Sequence, residues 1–138
     1  MSRTSAMDAK ERRGLLATRS NPDARLDYVS ALEGYIAPSG RAQRTTVGVR
    51  YVPDKLIIDP AAFGRYLGAL GTLPWESLEK VAVTILDDIN NEVVARWVQV
   101  ALSVPNGALP GVGNHGVMLE DRQPKWDNAA LLSRLRRY

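Results

Sequence analysis

The chain has 138 residues, 45% hydrophobic and 24% charged, with a formal net charge of +3, which suits one globular domain around a single core. It contains no cysteine and one histidine, His115, so disulfides, thiolate catalysis, Cys-based metal sites and any multi-histidine metal site within one chain are excluded. No apolar run approaches the ~20 residues that a membrane span requires, and the N-terminus has no secretory h-region. A cytoplasmic protein that neither crosses a membrane nor carries a metal or other cofactor is therefore the expectation.

The charge is uneven. Residues 1–25 carry six Lys/Arg against three Asp/Glu, residues 26–120 seven against ten, and residues 121–138 five against two. The pattern predicts a basic, loosely ordered N-terminal segment (1–25), a mildly acidic folded domain (26–120) and a basic C-terminal helix or tail (121–138). Basic ends such as "KERR" and "RLRR" can contact phosphates, but solvated tails or subunit contacts explain them more simply.

In chain order, "AKERRGLLA" has a short helical possibility. "DARLDYVSALEGYI" carries Tyr28, Val29 and Tyr35 and predicts a strand ending near Ile36. "APSG" is a turn, with Pro38 fixing φ and Gly40 able to take positive φ. "RTTVGVRYV" alternates, with Thr45, Val47, Val49 and Tyr51 on one face and Thr46, Gly48 and Arg50 on the other. It reads as the second strand of a hairpin. "VPDKLIID" is an extended return. Asp59 before Pro60 then signals a helix start, and Phe63, Tyr66, Leu67 and Leu70 recur at helical spacing up to Gly71.

A second helix is predicted from about "TLPWE", with Leu78, Val81, Ala82, Ile85 and Ile89 on one face and Asn90–Asn91 as its stop. "EVVARWVQVALSV" and the short "VMLED" read as strands on either side of a Gly/Pro-rich stretch, and "NAALLSRLRRY" as a short terminal helix. Two pairs of strands around two helices predict an α+β domain. Its sheet would be antiparallel and four-stranded, with both helices on one face. The open edges of so small a sheet predict pairing with other subunits.

The ββααββ order resembles the tunnelling fold, and the local sequence is most similar to its nitrile reductases of queuosine biosynthesis (QueF). "DYVSALEGYIAPSGRAQRTTVGVRYVPDKLIID" resembles that family's strand, catalytic loop and second strand. "RYLGALGTLPWESLEKVAVTILDDI" resembles its tyrosine-leucine helix, Phe-His-Glu segment and following helix. The resemblance covers about residues 26–104 and implies a domain that assembles into an oligomeric barrel, a ring or double ring. It also implies an NADPH-dependent reductase acting on 7-cyano-7-deazaguanine through a nucleophilic Cys and a proton-donating Asp.

The departures are specific. In register, the family's Cys falls on Ile36, its Asp on Gln43 and its His on Trp75, none of which can take over the lost chemistry. The lysine-bearing helix start associated with NADPH becomes "DPAAFG" at 59–64. Nitrile reduction is therefore expected to be absent. What the resemblance leaves is Glu76, at the position where tunnelling-fold proteins hold a purine- or pterin-like edge by two charge-assisted hydrogen bonds. A glutamate opening a helix is also favoured by the helix dipole alone.

Other residues have two readings each. His115 is a candidate general acid or base, or a loop histidine. Trp75 is a stacking surface for a planar ligand, or a staple to the core. Tyr35, Ile36 and Gln43 are candidate ligand contacts around the former catalytic loop. Ser39 has no identifiable base beside it, and Arg50 and Lys55 are weak candidates for pairing with an anion. Two functions follow. One is a repurposed protein that binds a small heterocycle through Glu76 and performs non-redox, non-covalent chemistry, with Glu76 and His115 as its catalytic groups. The other is a non-catalytic binder or partner subunit that keeps only fold and assembly. A nucleic-acid module has little support, because the body is acidic.

Overall fold

A computed structural model describes residues 7–37, 44–105 and 107–135. The main sheet is built from β2 (Ser30–Ile36), β3 (Thr45–Val52), β5 (Trp97–Val104) and β6 (His115–Arg122), antiparallel throughout in the order β2-β3-β5-β6. Helices α2 (Pro60–Leu70) and α3 (Leu78–Val93) separate the two strand pairs. The expected ββααββ order and α+β class are thus present.

The register shows why one face is buried. Val49 stands opposite Leu32 on one side and Val100 on the other, and Val100 stands opposite Leu119. Side chains alternate across a strand, so Val47, Val49, Tyr51, Val98, Val100 and Leu102 all face the two helices and are buried. From α2 come Phe63, Tyr66, Leu67 and Leu70, and from α3 Val81, Ala82, Ile85 and Ile89. Close approach of α2 to the sheet depends on Gly34, where a Cβ would fall 2.6 Å from Leu67 Cδ1.

Local signals set both helix starts. The Asp59 carboxylate caps α2 by accepting from Ala62 N–H at 3.1 Å, with Pro60 in the first turn. The Ser77 hydroxyl caps α3 by accepting from Lys80 N–H at 3.0 Å. The second helix therefore begins at Leu78 rather than near Thr72, and residues 74–76 are a non-helical lead-in. Its other end also differs from expectation. Asn90 and Asn91 do not stop it, because Val93 is buried in the core at 1% exposure. The helix ends instead at Val94, which takes the left-handed conformation at φ 50°, an unusual state for a β-branched residue. Strand β5 accordingly starts at Trp97, and residues 92–93 are helix.

The largest correction concerns the N-terminal stretch. Expected as loosely ordered, it forms α1 (Ala9–Gly14) and β1 (Thr18–Ser20), the latter paired with β4 (Leu56–Ile58) in a second, two-stranded sheet. Leu16 lies in the main core at 2% exposure. Ion pairs fasten the stretch as well. Asp88 of α3 is fully buried, and its carboxylate accepts from Arg12 Nε at 2.9 Å, Arg12 Nη2 at 3.1 Å, Arg13 Nε at 2.9 Å and Tyr66 Oη at 2.6 Å. Burial and the acceptor carboxylate together hold the Tyr66 hydroxyl well above the usual phenol range. Two arginines of "KERR" are thus engaged inside the fold.

A second polar hub ties down residues 121–135. Arg96 donates to Leu26 O, Ala24 O, Asp27 Oδ1 and Asp54 Oδ1. Trp126 Nε1 and Asn128 Nδ2 reach Asp27 Oδ2 at 3.1 and 3.0 Å. The expected C-terminal helix is present only as the four-residue α4 (Ala129–Leu132). No helix among the described residues is long and apolar enough to cross a membrane.

Candidate functional site

The close packing of α2 against β2 shapes a cleft at one end of the sheet. A Cβ on Gly71 would meet Ala37 O at 3.0 Å, so the chain leaving α2 runs directly beside the end of β2. Residues 71–78 then form one wall, the end of β2 and the start of β3 a second, and the β5–β6 connection a third. The cleft holds about 1230 Å³ and is lined by Ile36, Trp75, Glu76, Glu79 and His115 among others.

Four of the residues expected at a site therefore share one cleft: Ile36, Trp75, Glu76 and His115. Ile36 is buried and presents an apolar wall where the resemblance places a nucleophile. Trp75 is half-buried against the core, and its indole N–H donates to Leu70 O at 2.8 Å. The staple reading holds, since the ring is pinned to the end of α2, and the ring also lines the cleft. Its N–H is already used, so only the ring surface is open to a ligand. Glu76 is exposed and precedes the Ser77 cap. It lies one residue ahead of that cap, outside the first helical turn but still at the positive end of α3.

Tyr35 is placed elsewhere. Neighbouring strand residues point to opposite faces, so its side chain lies on the sheet face away from Ile36. It is 51% exposed there, with the Arg44 guanidinium 4.3 Å from the ring centroid, a cation–π contact. Arg50 lies on that same far face and donates to Gln99. Gln43 and Ser39, with the rest of residues 38–43, lie outside the described residues.

Sequence reasoning missed Glu79. It occupies the first turn of α3, and its Oε2 lies 3.3 Å from His115 Nε2, with both side chains partly open to solvent at 62% and 36%. The Glu79 carboxyl is held below the usual range, first by a hydrogen bond from its own backbone N–H and then by His115. The available signal was its place three residues after Glu76 in the sequence, although the two do not share a helix because Glu76 lies ahead of the α3 cap. Nothing local pointed to His115. Among the described residues no group of three or more His, Asp or Glu is placed to hold a metal ion.

No family model matches the chain, and no curated protein matches it. Among solved structures it is similar to the archaeosine synthase QueF-Like in its apo crystal form, at a TM-score of 0.50 and 19% identity. That match covers 68% of this chain and 91% of the other. At this identity the likeness concerns the fold, and together with the antiparallel sheets and four helices it identifies a mixed α+β protein of QueF-like fold.

Proposed function

We propose that this chain is a divergent tunnelling-fold protein whose cleft binds a small planar heterocycle, of purine, deazapurine or pterin type. The carboxylate of Glu76 would accept two hydrogen bonds from an N–H/NH₂ edge, with the face of Trp75 and the side chain of Ile36 against the ring. The observation that carries this reading is the convergence of Ile36, Trp75, Glu76 and His115 on one cleft from separate parts of the chain. Chemistry on the bound ring is non-redox and non-covalent, such as isomerisation, cyclisation or addition. The chain has no cysteine to form a thioimide. Orientation and proton transfer suffice for such steps. Self-association into a ring through the open edges β2 and β6 completes the proposal, and a monomer in sedimentation analysis would contradict that part.

The test is thermal denaturation with guanine, 7-deazaguanine and pterin. At least one should raise Tm by mass action on the folded state, and Glu76→Gln should abolish the rise. No rise with any of them would sink the heterocycle reading. A rise without turnover of any of these compounds favours the alternative, a non-catalytic binder. NADPH with 7-cyano-7-deazaguanine should show no oxidation.

A further inference from the structure

We infer that Glu79 and His115 form a proton-transfer pair on the cleft wall, with His115 exchanging a proton with the bound ring and Glu79 positioning the imidazole. The inference rests on the heterocycle reading above and adds a residue and a reaction class to it: tautomerisation of a ring bearing an acidic C–H next to a C=N or C=O bond.

The pair joins two distant elements. His115 opens β6 opposite Val104, while Glu79 stands in the first turn of α3, and both line the cleft with Glu76. Glu79 loses its proton at lower pH than an ordinary glutamate, so near neutrality it is a carboxylate and can only accept. The nitrogen 3.3 Å from it, Nε2, must then carry the hydrogen. In the neutral ring the lone pair therefore sits on Nδ1, which no described residue engages. A carboxylate holding one ring nitrogen so that the other can act as base is the arrangement by which histidine tautomers are selected.

The titratable groups lining the cleft divide the work. Glu76 holds the N–H/NH₂ edge and needs its lone pairs for that. Nδ1 of His115 takes the ligand's C–H proton; the C–H electron pair forms a new C=C bond to the neighbouring carbon as the C=N or C=O π pair moves onto the nitrogen or oxygen. The resulting imidazolium donates through Nε2–H to Glu79. Return of the proton to the far end of the conjugated system gives the tautomer. No electrons leave the ligand, so no oxidant or reductant is required.

Two measurements test this. The first needs no ligand: the side-chain carboxyl carbon of Glu79 is titrated by NMR in the wild-type chain and in His115→Gln. The wild-type midpoint should lie below the ordinary glutamate value and rise in the variant; equal midpoints would show that the pair does not exist in solution and overturn the inference. The second follows solvent deuterium uptake into the methyl group of 6-methyl-7,8-dihydropterin, kept anaerobic. The wild-type protein should accelerate uptake, and His115→Gln should lower the saturating rate by about 100-fold, the lower range for general acid–base catalysis. Glu79→Gln should lower that rate and displace its pH profile without changing the half-saturating concentration. Glu76→Gln should raise the half-saturating concentration.

An unchanged rate and pH profile in Glu79→Gln would remove the positioning role. A probe that raises Tm but exchanges no faster than in free solution overturns proton transfer and leaves the binding reading intact. A probe that does not bind overturns this inference, and the binding reading falls with it only if guanine, 7-deazaguanine and pterin also fail to raise Tm.

Discussion

Helix α3 carries carboxylates in two opposite situations. Asp88 is fully buried, and both its oxygens are occupied by Arg12, Arg13 and Tyr66 of the same chain. Glu79, near the start of the helix, is 62% exposed and shares a single 3.3 Å contact with His115, while Glu76 just ahead of it is exposed in an open cleft. Net charge alone would treat these groups alike. What separates them is whether the protein itself fills the acceptor sites. Asp88 is a fastening, and Glu76 and Glu79 keep acceptor capacity open to solvent.

The comparison breaks most visibly at Asp88. Replacing it with Ala leaves two arginines and a buried tyrosine hydroxyl without their acceptor. Loss of one partner from a buried charge cluster costs about 3–5 kcal/mol, and the lower figure is expected here because both arginine side chains keep some solvent, at 15% and 30% exposure. Urea denaturation should show the lowered midpoint. A loss below about 1 kcal/mol, the range of exposed pairs, would mean that α1 does not depend on Asp88 for its docking.

Asp27 is an intermediate case that adds a pH dependence. Desolvation pushes its carboxyl upward, but hydrogen bonds from Asn128, Trp126 and Arg96 more than offset this, and the net shift is downward. A carboxyl depressed in the folded state contributes stability that is complete above its unfolded pKa and lost as pH falls through the folded value. The loss should therefore begin below about pH 4, near the ordinary Asp value, and release residues 123–132 from Arg96 and Asp27. Hydrogen exchange of those amides should quicken there, and Asp27→Asn should flatten the dependence. Unchanged protection across that window would remove Asp27 from the set of fastening carboxylates.

How much of this could be read from the residues divides along the same line. Local rules were sufficient for α2, where Asp59, Pro60 and the Phe63–Tyr66–Leu67–Leu70 spacing set the start and the buried face, and for β3, whose alternation matches its burial. They failed where the decisive partner is remote in sequence. Asp88 shares a helix face with Val81 and Ile85, and a charge on an apolar stripe demands a partner. Nothing in its neighbourhood says that the partner lies at 12–13. The Glu79–His115 contact escaped for the same reason. Propensity alone misplaced the end of α3, where burial of Val93 outweighs the weak helix preference of Asn90 and Asn91. Ile36, Trp75 and Glu76 reach the cleft as the resemblance implied and His115 as its side-chain chemistry suggested, while Tyr35 does not, because its neighbour Ile36 takes the opposite face; Gln43 lies outside the described residues.

Val94 tests whether the far end of α3 is purely structural. Left-handed backbone costs a non-glycine residue about 1–2 kcal/mol, and glycine returns part of that gain as unfolded-state entropy of about 0.5–1 kcal/mol. Val94 is 57% exposed, so no buried side chain is lost on substitution. Val94→Gly should raise stability by up to about 1 kcal/mol, with the response to heterocycles unchanged. A stabilised variant that no longer responds would link the strained turn to the cleft.

The smallest effect on stability, and the sharpest distinction, belongs to Glu76→Gln. The side chain is exposed, makes no ion pair or hydrogen bond among the described residues and lies outside the α3 cap, so stability should change by no more than about 0.5 kcal/mol. Binding should respond in the opposite sense. Glutamine keeps the shape but exchanges one acceptor oxygen for a donor NH₂, which faces the ligand's own donor and leaves one of the two hydrogen bonds unmade. An intact fold with a lost thermal response would assign Glu76 to a ligand, whereas a large drop in unliganded stability would place it beside Asp88 among the fastenings.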